Sequence, residues 1–106
     1  IKRHDNHLIT RLLEAPGIYR YQPSIDVLLN SVARVCGAAA IGLILTGMGD
    51  DGTNGLLAMH DAGAYTLAQD QHSSTVFGMP NAAIEAGAVQ TVVALADLPS
   101  KLMKLL

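Results

Sequence analysis

The loop Thr46-Gly47-Met48-Gly49-Asp50-Asp51-Gly52 combines three closely spaced glycines with two adjacent carboxylates, and it holds most of the chemistry legible in this chain. Gly47, Gly49 and Gly52 match G-x-G-x-x-G, and Asp70 follows the next apolar segment, where a ribose-binding acid belongs. On spacing alone, a Rossmann-like dinucleotide-binding module is a candidate. The charges argue against it. Asp50 and Asp51 occupy the positions that approach the pyrophosphate, and two like charges about 4 Å apart repel by roughly 4 kcal/mol at an effective dielectric of about 20. A calcium loop starting at Asp50 fails differently: its third position is Gly52, which has no ligand atom, and its twelfth is Asp61 rather than a bidentate Glu. Two further readings stay open. In one, both acids cap the following helix and the glycines turn the chain. In the other, one Asp caps while its neighbour faces a catalytic imidazole, fixing its tautomer and stabilising the imidazolium. Backbone N–H groups of the same loop would then stabilise an oxyanion.

Other reactive side chains are weaker candidates. Ser73 and Ser74 lie beside His72, but such close neighbours rarely converge on one substrate atom, and no strand-Ser-helix elbow surrounds them. His60 reads as a solvated helix residue. His4-x-x-His7 has loose metal spacing without a third ligand, so no metal is expected. Cys36 falls on an apolar helix face and reads as packed rather than reactive. Met48, Met59, Met79 and Met103 read by default as core filler.

The elements that position the loop follow from periodicity. Ser24 caps a helix carrying Ile25, Leu28, Leu29, Val32, Val35 and Cys36 at helical spacing, closed by Gly37. Ala40 to Thr46 is a short, continuously apolar run, as expected of a parallel strand covered on both faces. A helix over Leu56 to Ala62, a strand over Ala64 to Gln69, a helix from Pro80 to Gly87 and a strand over Val89 to Leu95 follow. Asp97 opens a last helix with Lys101 and Lys104 near its end. Upstream, residues 7–13 and 18–21 read as strands of a hairpin turning at Pro16-Gly17. The sum is an α/β fold: a doubly wound, mainly parallel sheet with helices on both faces and an N-terminal β-hairpin. In such sheets, functional groups gather beyond the carboxyl ends of strands, here the loops at 47–55 and 70–79.

Composition narrows the function. The chain has 106 residues, half of them hydrophobic, with a net charge of −2. That is no electrostatic footprint for nucleic acid, and four scattered aromatics make no base-stacking platform. No apolar run is long enough for a membrane span, so no direct membrane insertion is expected. A single cysteine fits a reducing, cytoplasmic setting. The first residue is not Met, which is expected of a chain cropped from a longer one.

Leu45-Thr46-Gly47-Met48-Gly49-Asp50-Asp51-Gly52, Gly55-Leu56-Leu57-Ala58-Met59 and Ala62-Gly63-Ala64 together resemble the C-terminal half of the CheB-type chemotaxis protein-glutamate methylesterase domain. Pro23-Ser24-Ile25-Asp26-Val27-Leu28, Ala68-Gln69-Asp70, Val76-Phe77-Gly78-Met79-Pro80 and Ala82-Ala83-Ile84 extend the resemblance, which covers roughly residues 7–105. It implies that residues 1–106 are the C-terminal portion of a larger catalytic domain. The intact enzyme would hydrolyse glutamyl methyl esters on chemoreceptor cytoplasmic helices, and some members deamidate Gln. The resemblance assigns Asp51 to the acid of a Ser-His-Asp triad, the Met48 N–H to the oxyanion hole, and Asp50 to a helix cap. It requires no cofactor and no metal. An N-terminal receiver domain is usual in the family. Tyr21-Gln22 departs from the basic pair that family members often carry before the proline. The nucleophilic Ser and the His belong to the half that is absent, so this chain alone is expected to be inactive. In a full-length protein, Asp51→Asn is expected to lower turnover by orders of magnitude with little loss of folding. A non-catalytic adaptor of the same family is the other alternative. One sheet edge should lie bare where strands are missing, open to pairing with a second copy.

Overall fold

The computed structural model describes residues 1–13 and 21–106. Helix α1 (Ile25–Cys36) begins at Ser24, whose extended backbone lets Oγ accept from Val27 N at 3.3 Å, and ends at Gly37 with φ +51°. A 3₁₀ turn over Gly37–Ala39 leads into strand β3 (Ile41–Ile44), then helix α2 (Thr53–Asp61), strand β4 (Tyr65–Gln69), helix α3 (Gly78–Glu85), strand β5 (Thr91–Val93) and helix α4 (Leu98–Leu105). β1 (Lys2–His4) and β2 (His7–Ile9) precede them.

β3, β4 and β5 form a parallel sheet in that order, with Ile44 beside Ala68 and Ala68 beside Val92. Alternation along the strands splits the core in two. Ile44 and Ala68 face Leu56 of α2 and Ala83 of α3, with Leu29 of α1 against them; Ala33, Met59 and Ala64 extend this layer between α1 and α2. Leu67 and Val93 face the other way, onto Leu98, Leu102 and Leu105 of α4. Helices therefore cover both faces, as the continuous apolar strands predict.

Two helices start earlier than expected. α2 begins at Thr53 rather than Leu56 because Gly52, at φ +96°, turns the chain straight into it. α3 begins at Gly78, which places Pro80 in the first turn, where an amide has no intrahelical partner to lose. The strands are shorter than read, since their flanking apolar residues continue into loops and turns. An N-terminal hairpin is present among the described residues: β1 and β2 pair antiparallel around Asp5-Asn6, with Asp5 at φ +52°, a conformation that Asp tolerates. Pro16-Gly17 and most of the second strand read from the sequence lie outside the described residues. Among the described residues, β3 and β5 each pair only with β4, leaving two outer sheet edges.

Candidate active site

The loop after β3 is braced from below and from the side. Gln69, at the end of β4 and 1% exposed, accepts from Thr46 N through Oε1 at 2.8 Å and donates Nε2 to Ser73 O at 2.9 Å. Thr46 Oγ1 donates to Val76 O at 3.0 Å and accepts from Val76 N at 2.8 Å. Gly47 donates its N–H to Val76 O, and its carbonyl accepts from Gly78 N at 3.1 Å and Met79 N at 2.8 Å. A Cβ on Gly78 would stand 2.8 Å from Gly47 O and 3.1 Å from Gly49 N, so only glycine lets the two loops meet. The turn beyond them is formed by Gly49 at φ +89°. Met48 follows in this loop and is 82% exposed, which places it outside the core. Among the described residues its N–H meets no acceptor.

The two acids divide differently from expectation. Asp50 is not the side-chain cap of α2: the N-cap residue is Gly52, without a side-chain bond, and Asp50 contributes its carbonyl, which accepts from Thr53 N at 3.2 Å. Its carboxylate accepts from the Tyr21 hydroxyl at 3.4 Å. Asp51 is 7% exposed and reaches back to α1, where Oδ2 accepts from Ile25 N at 2.8 Å and Oδ1 from Asp26 N at 3.1 Å. These are the first two amides of α1, which no intrahelical carbonyl can satisfy. A carboxylate there also sits in the positive end of the helix dipole. The side chain that serves α2 comes from α1: Asp26 Oδ1 accepts from Gly55 N at 2.7 Å. In the sequence Asp26 is one residue of the Pro23–Leu28 motif, and no local signal gives it this role because its partner lies 29 residues away.

This arrangement bears on the anion-binding reading. Carboxylates already occupy the helix N-termini that would receive a pyrophosphate. Asp70 is engaged as well: its Oδ1 accepts from Ser73 Oγ at 2.5 Å and Ser73 N at 2.9 Å, and these two bonds, the hydroxyl one foremost, hold its carboxyl below the ordinary aspartate range. Ser73 Oγ also accepts from Leu95 N at 3.0 Å, so this serine ties loops together. His72 is exposed. His60 is half-buried rather than solvated, with Nδ1 3.4 Å from Thr66 Oγ1. His4 and His7 face each other across the hairpin, and no group of three metal-ligating side chains occurs among the described residues. Cys36 is half-buried at the end of α1. Of the methionines, Met59 is in the core, whereas Met103 is 71% exposed.

Fold and site together define an α/β fold, a parallel sheet with helices on both faces, with a braced glycine loop and a buried acid at the carboxyl end of a strand. The CheB methylesterase family model matches residues 1–102. The chain is 52% identical over 104 residues to the protein-glutamate methylesterase/protein-glutamine glutaminase of Chromohalobacter salexigens, covering 98% of this chain and 29% of that protein. It is 53% identical over 90 residues to the group 3 operon protein of the same description from Rhodopseudomonas palustris, covering 85% and 25% respectively. The crystal structure of the Thermotoga maritima CheB methylesterase catalytic domain superposes with a TM-score of 0.93 at 32% identity, over 99% of this chain and 56% of that one. This chain belongs to the CheB methylesterase family. It spans less than a third of the length of these curated relatives.

Proposed function

We propose that residues 1–106 are the C-terminal portion of a methylesterase catalytic domain, and that the intact enzyme hydrolyses glutamyl methyl esters on the cytoplasmic helices of chemoreceptors to glutamate and methanol. The names of the relatives support ester hydrolysis and, beside it, deamidation of glutamine. A serine and a histidine from the other part of the domain supply nucleophile and base. The serine Oγ attacks the ester carbonyl as the histidine takes its proton; methanol leaves with that proton, and water releases the glutamate by the reverse transfers. Asp51 orients the imidazole and stabilises its charged form, while the Met48 N–H donates to the developing oxyanion. The glycines at 47, 49 and 52 shape the loop. No metal or organic cofactor takes part. The enzyme is cytoplasmic, and a receiver domain elsewhere in the intact chain is its expected regulator.

The observation that carries this reading is Asp51. Its carboxylate is nearly buried and locked by two backbone amides, yet about two of its four acceptor positions remain free. It sits three residues from an exposed loop amide that meets no acceptor among the described residues. Capping alone accounts for the two bonds but assigns nothing to that amide.

Methanol release from a methylated receptor segment tests the proposal. The full-length protein should turn over, the 106-residue chain should not, and Asp51→Ala in the full-length protein should lower kcat by about a thousandfold or more. Activity in the isolated chain would remove the requirement for a serine and histidine outside it. Unchanged turnover in the Asp51 variant would leave Asp51 a helix cap.

A further inference from the structure

The helix amides of α1 and α2 are capped reciprocally. Asp51, one residue before the N-cap of α2, holds the Ile25 and Asp26 amides of α1, and Asp26 holds the Gly55 amide of α2. These bonds close a ring from α1 through Asp51 and Gly52 to Gly55 and back through Asp26. We propose that Asp26 is a positioning residue for Asp51: its bond to Gly55 fixes how the start of α1 sits on α2 and thereby holds the Asp51 carboxylate at the orientation the reaction uses. The inference rests on the catalytic reading of Asp51 given above.

Three observations support it. Gly52 has no side chain to satisfy the first turn of α2, and Gly55 is buried, so without Asp26 the Gly55 N–H would lose its partner out of reach of water. The helices touch at that point: a Cβ on Gly55 would lie 2.6 Å from Leu29 Cβ and 3.1 Å from Asp26 Cα. Asp51 grips only the first two amides of α1, and the Asp26 bond adds a second polar tie between the same two helix starts, beside the packing of Leu29 and Ala33. The two ties lie on opposite sides of the ring, so together they set the register of the two helix starts more narrowly than either does alone. Small displacements of a catalytic group lower rates by large factors, which makes such a brace functionally visible.

Variants of the full-length enzyme test this at a temperature where each is folded. Asp26→Ala should lower kcat by about tenfold or more with KM within about twofold. Asp26→Asn, which keeps an acceptor oxygen at the same place, should restore kcat to within about threefold of wild type. Asp26→Glu keeps the charge but displaces the oxygen by a methylene, and should stay about fivefold or more below wild type. If Asp26→Ala does not fold, the Asn and Glu variants still decide, because equal kcat in those two would overturn the proposal. A folded Asp26→Ala enzyme with reduced thermal stability and unchanged kcat would also overturn it, leaving Asp26 a structural cap. Asp51→Ala is assayed alongside. If that variant is inactive while Asp26→Ala is fully active, only the positioning role falls; if Asp51→Ala is active, the catalytic reading of Asp51 falls with it.

Discussion

Asp51 carries a structural load that its place in the loop does not reveal. Both carboxylate oxygens accept from amides of α1, so Asp51→Asn turns one acceptor into an NH₂ group facing an N–H. We expect that substitution to destabilise the chain by about 1–3 kcal/mol, read as a lower urea midpoint. The two bonds argue against the expectation that the variant folds with little loss, which is why kinetic tests on Asp51 need a stability measurement beside them. Asp70 offers a second test at this scale. Ser73 lowers its pKa on folding, so the stabilisation it contributes is complete above the ordinary aspartate range near pH ~4 and is lost as pH falls from there through the lower folded value. A carboxyl ¹³C titration should place the Asp70 midpoint below that of an unstructured peptide, and Ser73→Ala should move it back up. A midpoint at the peptide value would contradict the bonds.

Among elements, the α1–α2 contact decides most. Gly55→Ala isolates its geometry, because intrinsic propensity favours Ala in a helix by about 1 kcal/mol. The contact predicts the opposite sign: the new Cβ would strike Leu29 and the Asp26 backbone, for an expected loss of about 1–3 kcal/mol. A stabilised variant would show that α1 can shift away freely. The start of α1 was legible because its cap, Ser24, is local. The start of α2 was misplaced because the side chain that caps it belongs to α1, 29 residues earlier. Likewise, Asp50 has the position of a cap for α2, yet Gly52 at φ +96° already turns the chain there and the Asp50 carboxylate accepts from Tyr21 instead.

At the scale of the whole molecule, the three-stranded sheet has a core on each face and an unpaired outer side on β3 and on β5 among the described residues. Leu67 is fully buried in the central strand, and Leu67→Ala should lower stability by about 2–5 kcal/mol, measured by denaturant unfolding. The edge of β3 is the place we propose for self-association of the isolated chain, in line with its part-length match to the relatives. Sedimentation should then show concentration-dependent dimers that weaken when Leu45, 42% exposed just past β3, is changed to Lys. A chain that stays monomeric at high concentration would reject that edge as an interface.

The alternation of helices and strands, the two-sided burial of the strands and the placing of the glycine loop at a strand's carboxyl end are all legible in the order of the residues. Those properties follow from periodicity and from local breakers such as Gly37, Gly52 and Gly63, which act within a few residues. Between Asp50 and Asp51 these local signals leave the choice open, and it is the resemblance to the methylesterase family that assigns the acid's role to Asp51. Which amides Asp51 holds, that Asp26 answers it from the other helix, and that Gln69 and Gly78 brace the loop emerge with the packed fold. The physical reason is that these partners lie far apart in the chain and meet through packing at Gly52 and Gly55, where missing side chains let two helix N-termini approach closely enough to exchange caps. A periodic pattern tells which face of an element is buried, but not which amide will meet which carboxylate once the faces are pressed together.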